Sequence, residues 1–194
     1  MKKILLYPGA FNPPHYGHVS AVELALKNKP FDEVWIMPSG KRDDKTISTS
    51  YEDRRNLGNL FVEYLQNNLT IPVKLLTDEL DDTTGRYTQD ILRQVKSMPN
   101  VEIIQLIGTD GIIHLKNKLS PEDFTKEKYI VIQRVGYELP NDFSYAENLL
   151  ITNDTSKNIS STQIRDMMKT NIGNIEDFVP EKIASYIREH HLYQ

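Results

Sequence analysis

Residues 3–18 read Lys3-Ile4-Leu5-Leu6-Tyr7-Pro8-Gly9-Ala10-Phe11-Asn12-Pro13-Pro14-His15-Tyr16-Gly17-His18. The apolar run Ile4–Tyr7 reads as a buried strand, and it runs into Gly9 and a stiff Pro13-Pro14 turn. Two histidines three residues apart follow, at the start of a helix whose apolar periodicity is carried by Val19, Val22, Leu24, Ala25 and Leu26. Positions i and i+3 share a helix face. His15 and His18 are therefore expected beside the free backbone N–H groups of a helix N-terminus, which together form an anion site. The chemistry this stretch predicts is phosphate binding. The architecture it starts is a strand–loop–helix unit.

That unit repeats along the chain. Strands are expected at Lys3–Tyr7, Glu33–Met37, Val73–Leu76, Glu102–Ile107, Lys128–Gln133 and Leu149–Ile151. Helices are expected to start near Gly17, Tyr51, Thr88, Asp110 and Ser161, with a last one from Pro180. Strands separated by helices imply βαβ units and a parallel sheet. Ser50, three residues before Asp53, resembles a capping box for the second helix. Pro180 suits a first helical turn. The polar, charged stretch Ser39–Ser50 is either a loop over a site or a solvated linker.

A second apolar run, Val101–Ile107, ends at Gly108-Thr109-Asp110. Strands one and four of a doubly wound sheet flank its switch point, outside whose carboxyl ends ligands bind. Gly9 and Gly108 are then expected to face each other across that crevice. Asp110 is placed either to meet ribose hydroxyls or to cap the next helix.

Residues 159–165 read Ile159-Ser160-Ser161-Thr162-Gln163-Ile164-Arg165. Three hydroxyls at a helix start offer a cap and extra donors. Arg165, in the first turns of that helix, opposes the helix dipole. An anion at the same N-terminus would remove the conflict by pairing with the guanidinium. No GxxxxGK[ST] stretch exists, and no GxGxxG follows the first strand, so neither a P-loop nor the usual dinucleotide fingerprint is present.

The chain has 194 residues, no cysteine and a formal net charge of −4. Its length fits one domain. Without cysteines, disulfides and Cys-ligated zinc are excluded, which fits a reducing compartment. Met1-Lys2-Lys3 and four apolar residues are too short for a signal-peptide h-region, and no segment reaches spanning length. The acidic balance argues against a general nucleic-acid binder and leaves room for a local anion pocket.

Gly9–His18 resembles the (H/T)xGH signature of nucleotidyltransferases, and Ile159–Arg165 resembles their ISSTxIR signature. The chain is similar to the bacterial nicotinate or nicotinamide mononucleotide adenylyltransferases over nearly its whole length. Ser50–Arg54, Thr84–Leu92, Phe178–Pro180 through Tyr186-Ile187, and Leu192-Tyr193 resemble segments of that family. Asn12 stands where Asp is common, Tyr7-Pro8-Gly9 resembles pantetheine-phosphate adenylyltransferases, and His114–Lys118 lacks the tryptophan that usually follows the Gly-x-Asp motif.

The resemblance implies a Rossmann-like doubly wound parallel sheet with helices on both faces. A small C-terminal helical part, about 160–194, would carry the ISSTxIR motif in a single domain spanning 1–194. It implies a cytoplasmic enzyme of NAD biosynthesis that joins ATP to a pyridine mononucleotide, nicotinate mononucleotide first, and releases pyrophosphate. The alternative is an adenylyl- or cytidylyltransferase with another acceptor, such as phosphopantetheine. His15, His18 and Arg165 are the implied catalytic residues. ATP would also meet Gly9, Ala10, Phe11, Lys45, Gly108, Asp110, Ser160, Ser161 and Thr162, with Lys41 and Arg42 competing for the role of Lys45. Asn12, Thr84, Tyr87 and Thr88 would meet the acceptor. Mg²⁺ would ride on the ATP phosphates, with no metal site built by the protein. The implied partners are small molecules, neither nucleic acid nor membrane, and a homo-oligomer is compatible with the sequence.

Overall fold

The computed structural model describes residues 1–40, 47–81, 99–134, 138–143, 149–154 and 159–194. Six parallel strands form one sheet in the order β3-β2-β1-β4-β5-β6. They are β1 (Lys2–Gly9), β2 (Glu33–Pro38), β3 (Val73–Leu75), β4 (Val101–Gly108), β5 (Tyr129–Arg134) and β6 (Leu149–Asp154). This is the doubly wound order, with its reversal between β1 and β4. All six expected strands are present within a residue or three of their predicted bounds.

Among the described residues the α-helices are α1 (Tyr16–Asn28), α2 (Tyr51–Asn68), α3 (Asp78–Asp81), α4 (Thr109–Lys118), α5 (Pro121–Lys126), α6 (Ser161–Thr170) and α7 (Glu181–Glu189). The short α3 and α5 carry too few turns to show a period, so sequence pattern did not announce them. The helix expected from Thr88 lies outside the described residues. Ser50 does cap α2, accepting from the Asp53 N–H at 3.0 Å. Pro180 is the N-cap of α7, one position before the first turn. Among the described residues no helix is long and apolar enough to cross a membrane.

Alternation along the central strands divides the core. Leu5, Tyr7, Val34, Ile36, Ile104 and Leu106 face one side, where they meet α1 and α2. Ile164, Val179, Ile183, Ala184 and Ile187 of the C-terminal segment complete that same cluster. Ile4, Leu6, Trp35, Met37 and Ile103 pack on the other side.

Register opens the sheet where the site lies. β1 pairs with β2 as far as Gly9↔Pro38. Its pairing with β4 stops at Leu6↔Gln105. β4 meanwhile keeps pairing with β5 to Gly108↔Ile132. The last residues of β1 and β4 are thus held by their outer neighbours and released from each other, which leaves a crevice between Gly9 and Gly108.

Candidate active site

Gly9 ends β1, and its carbonyl accepts from the Ser39 N–H at 2.8 Å. A Cβ on Gly9 would lie 3.1 Å from the Phe11 ring, so the missing side chain lets that ring fold back on the strand. Phe11 has φ 45°, and the Asn12–Pro13 peptide is cis. Phe11 is buried against Tyr7 (ring centroids 5.2 Å) and Phe61 (5.7 Å).

His15 is the N-cap of α1 and is 2% exposed. Its backbone N–H donates to Nδ1 of His18 at 3.1 Å. The His18 N–H in turn donates to the His15 carbonyl at 2.8 Å. Histidine here plays the part that glutamate plays in an ordinary capping box. The bond also sets the tautomer. With Nδ1 of His18 accepting, the ring proton of neutral His18 sits on Nε2, which is then a donor. The two rings lie 3.7 Å apart between centroids. Phe11 packs on His18 at 4.9 Å. Gly17 permits the stack, because a Cβ there would stand 3.0 Å from Nδ1 and Cε1 of His15.

The N-terminus of α6 comes to the same loop. Ser160 caps it, accepting from the Gln163 N–H at 3.1 Å. Ser161 donates to the Pro13 carbonyl at 2.8 Å. Arg165 donates to the Asn12 carbonyl at 2.8 Å and to Thr162 Oγ1 at 3.0 Å. The chain itself therefore supplies acceptors that answer part of the conflict between Arg165 and the helix dipole. The two bonds use two of the five guanidinium N–H groups. Two helix N-termini, α1 and α6, converge on residues 9–15, and each presents the free N–H groups and positive dipole end that favour an anion.

Gly108 is the N-cap of α4 and is exposed, with nothing within 4 Å of where a Cβ would be. The cap role weighed for Asp110 is corrected. β4 runs to Gly108 and the helix begins at Thr109, so Asp110 is already a first-turn residue, exposed and suited to the dipole. The predicted contacts of Lys41, Arg42, Lys45, Thr84, Tyr87 and Thr88 lie outside the described residues. Among the described residues no group of three or more His, Cys, Asp or Glu side chains converges.

Two site residues escaped the sequence reading. Arg54, 1% exposed, donates to the Ala10 carbonyl at 3.0 Å and to the Ser39 carbonyl. It occupies the buried stripe of α2 that continues through Leu57, Phe61 and Leu65. A cation in an apolar stripe was the available signal. Tyr193 donates to Asn12 Oδ1 at 2.7 Å, and burial pushes its hydroxyl pKa well above the usual tyrosine value. The resemblance at Leu192-Tyr193 marks the position, but nothing in the local sequence gives it a partner.

Residues 6–167 match the cytidylyltransferase-like family model. A Listeria monocytogenes protein described as a probable nicotinate-nucleotide adenylyltransferase is 30% identical, over 98% of this chain and 97% of its own. The Bacillus subtilis nicotinate-nucleotide adenylyltransferase is 26% identical over the full length of both. In structure, the chain resembles Plasmodium falciparum nicotinic acid mononucleotide adenylyltransferase complexed with NaAD. The TM-score is 0.79 at 22% identity, covering 100% of this chain and 98% of that one.

Proposed function

The chain belongs to the cytidylyltransferase-like family and, within it, to the nicotinate-nucleotide adenylyltransferases, and from that premise we infer its reaction. It transfers the adenylyl group of ATP to nicotinate mononucleotide, a step of NAD biosynthesis. An oxygen of the mononucleotide phosphate attacks the α-phosphorus of ATP. The bond from that phosphorus to the bridging oxygen breaks, and pyrophosphate leaves with the oxygen. No covalent enzyme intermediate is needed, so the protein's work is alignment and charge stabilisation.

The observation that carries the reading is the convergence of the α1 and α6 N-termini on the loop after β1, with His18 locked as an Nε2 donor. In this reading His18 meets the α-phosphate, where negative charge develops, and His15 stands beside it. Arg165, Ser160, Ser161 and Thr162 serve the β- and γ-phosphates. The backbone of Gly9, Ala10 and Phe11 lines the nucleotide, with Gly108 and Asp110 at the adenosine across the crevice. Asn12 meets the acceptor, joined by Thr84, Tyr87 and Thr88, while Lys45 adds charge at the phosphates. Mg²⁺ travels with the phosphates, whose oxygens are its usual ligands. Residues 1–194 act as one domain, because the segment after 159 gives residues to both the core and the site. An ATP-consuming reaction on diffusible nucleotides fits the cytoplasm.

The test is pyrophosphate release with ATP and each of nicotinate mononucleotide, nicotinamide mononucleotide and phosphopantetheine at equal concentration. Nicotinate mononucleotide is expected to give the highest kcat/KM. A faster rate with phosphopantetheine would overturn the acceptor while leaving adenylyl transfer standing.

A further inference from the structure

The segment after α7 does not run on as a helix. Its turn is closed by the His191 N–H on Arg188 O at 3.1 Å and the Leu192 N–H on Ile187 O at 2.9 Å. His191 and Tyr193 both take left-handed backbone angles, φ 51° and 66°. For residues other than glycine this conformation costs on the order of 1 kcal/mol each. The two turns bring Leu192 and Tyr193 back onto the core and lay the Tyr193 hydroxyl against Asn12.

Tyr193 is there one link of a chain of donors. Thr49 donates to the Tyr193 oxygen, and Tyr193 donates to Asn12 Oδ1. Arg165 holds the carbonyl of the same Asn12. Main chain and side chain of this buried residue are thus fixed from two directions, by α6 and by the segment after α7. Ala10 and Pro13 on either side are held through their carbonyls. The Asn12 side chain is set by a hydrogen bond from a partner distant in sequence.

We propose that Tyr193 is a positioning residue for the acceptor mononucleotide: by pinning the Asn12 amide it fixes the part of the loop that the acceptor meets. The inference rests on the adenylyl-transfer reading above. Tyr193 touches neither substrate in this proposal and acts through Asn12 alone. Thr49 stands one residue before the α2 cap Ser50, so the same hydroxyl ties the entry to α2 to the loop.

The experiment compares wild type, Tyr193→Phe, Asn12→Ala and the double variant in steady-state kinetics, with ATP affinity measured by calorimetry. Folding is checked by circular dichroism and by the fluorescence of Trp35. Tyr193→Phe is expected to raise KM for the mononucleotide about tenfold, the equivalent of ~1.4 kcal/mol, with kcat and the Kd for ATP within about twofold. The double variant should be no worse than Asn12→Ala, since both act on one contact. Thr49→Val, a milder perturbation of the same chain, should show the same split at smaller size. Equal losses for ATP and mononucleotide, additive losses in the double variant, or an unchanged KM would each overturn the proposal. If wild type prefers another acceptor, the acceptor assignment fails separately, and the same cycle read with that acceptor still decides the role of Tyr193.

Discussion

In the proposed reaction His18 has two jobs for its two nitrogens, and substitution can take them apart. Nδ1 accepts the His15 N–H at 3.1 Å and so serves the helix start; Nε2 is left as the donor. Asparagine can put Oδ1 near the place of Nδ1, keeping the cap and losing the distal donor. Glutamine is itself a capping-box residue, so its Oε1 can keep the cap while its amide N–H restores a donor. Alanine loses both. Loss of a cap costs about 1 kcal/mol. For a chain of this length that is a fall of roughly 2–4 °C in Tm. Loss of a donor to developing charge costs ~10²–10³ in kcat. His18→Asn should therefore melt with wild type and turn over ~10²–10³ more slowly. His18→Gln should also melt with wild type and keep more turnover than His18→Asn. His18→Ala should lose on both counts. Melting by Trp35 fluorescence and pyrophosphate release would be read on the same preparations. A folded His18→Asn enzyme with near wild-type kcat would refute the donor role. A His18→Ala protein as stable as wild type would refute the cap.

Gly17→Ala tests the packing behind that pair. The added Cβ would stand 3.0 Å from the His15 ring, which is 2% exposed and stacked on His18, so the ring must shift by tenths of an ångström. Alanine's helix propensity gains about 1 kcal/mol, so Tm should hold while kcat falls ~10–100-fold; unchanged kcat would show that the ring position does not matter. At the opposite end of the sheet, burial alone would raise the Glu33 pKa. Bonds from Lys2 at 2.7 Å, Trp35 Nε1 at 2.7 Å and Lys74 at 3.1 Å outweigh that and hold it at about 2. A depressed carboxylate stabilises the fold fully above its unfolded pKa of 4.5 and loses that contribution as pH falls towards 2. Acid titration of wild type should cost about 2–3 kcal/mol in that window, and Glu33→Gln should flatten this part of the curve; parallel curves would refute the assignment.

The sheet was legible because its strands are short apolar runs bounded by Gly, Pro and polar turns, and because each long helix carries a buried stripe. The placing of the loop after β1 against two helix starts was legible because His15, His18, Gly17 and Ser160–Arg165 are local patterns at helix starts. What could not be read has physical causes. Arg54 and Tyr193 reach the loop from 44 and 181 positions away in the chain, and their roles exist only once the fold brings them there. The bond between Asn12 and Arg165 was masked differently. A cation near a helix N-terminus asks for an anion or an acceptor, and sequence alone cannot say that a backbone carbonyl supplies part of the answer. Asp110 missed the cap because the helix starts two positions earlier than that role requires, within the usual margin of element boundaries.

The loop after β1 is held by its carbonyls, and this divides mutational freedom unevenly. Ala10, Asn12 and Pro13 each offer a main-chain oxygen to Arg54, Arg165 or Ser161. Every amino acid carries that oxygen, so drift at the tethered positions leaves those tethers intact. Drift at the tethering positions does not, because only particular side chains reach and donate. Selection for these tethers therefore falls on side chains of two other helices, and a substitution at Arg54 can loosen the loop without altering any residue of either signature motif.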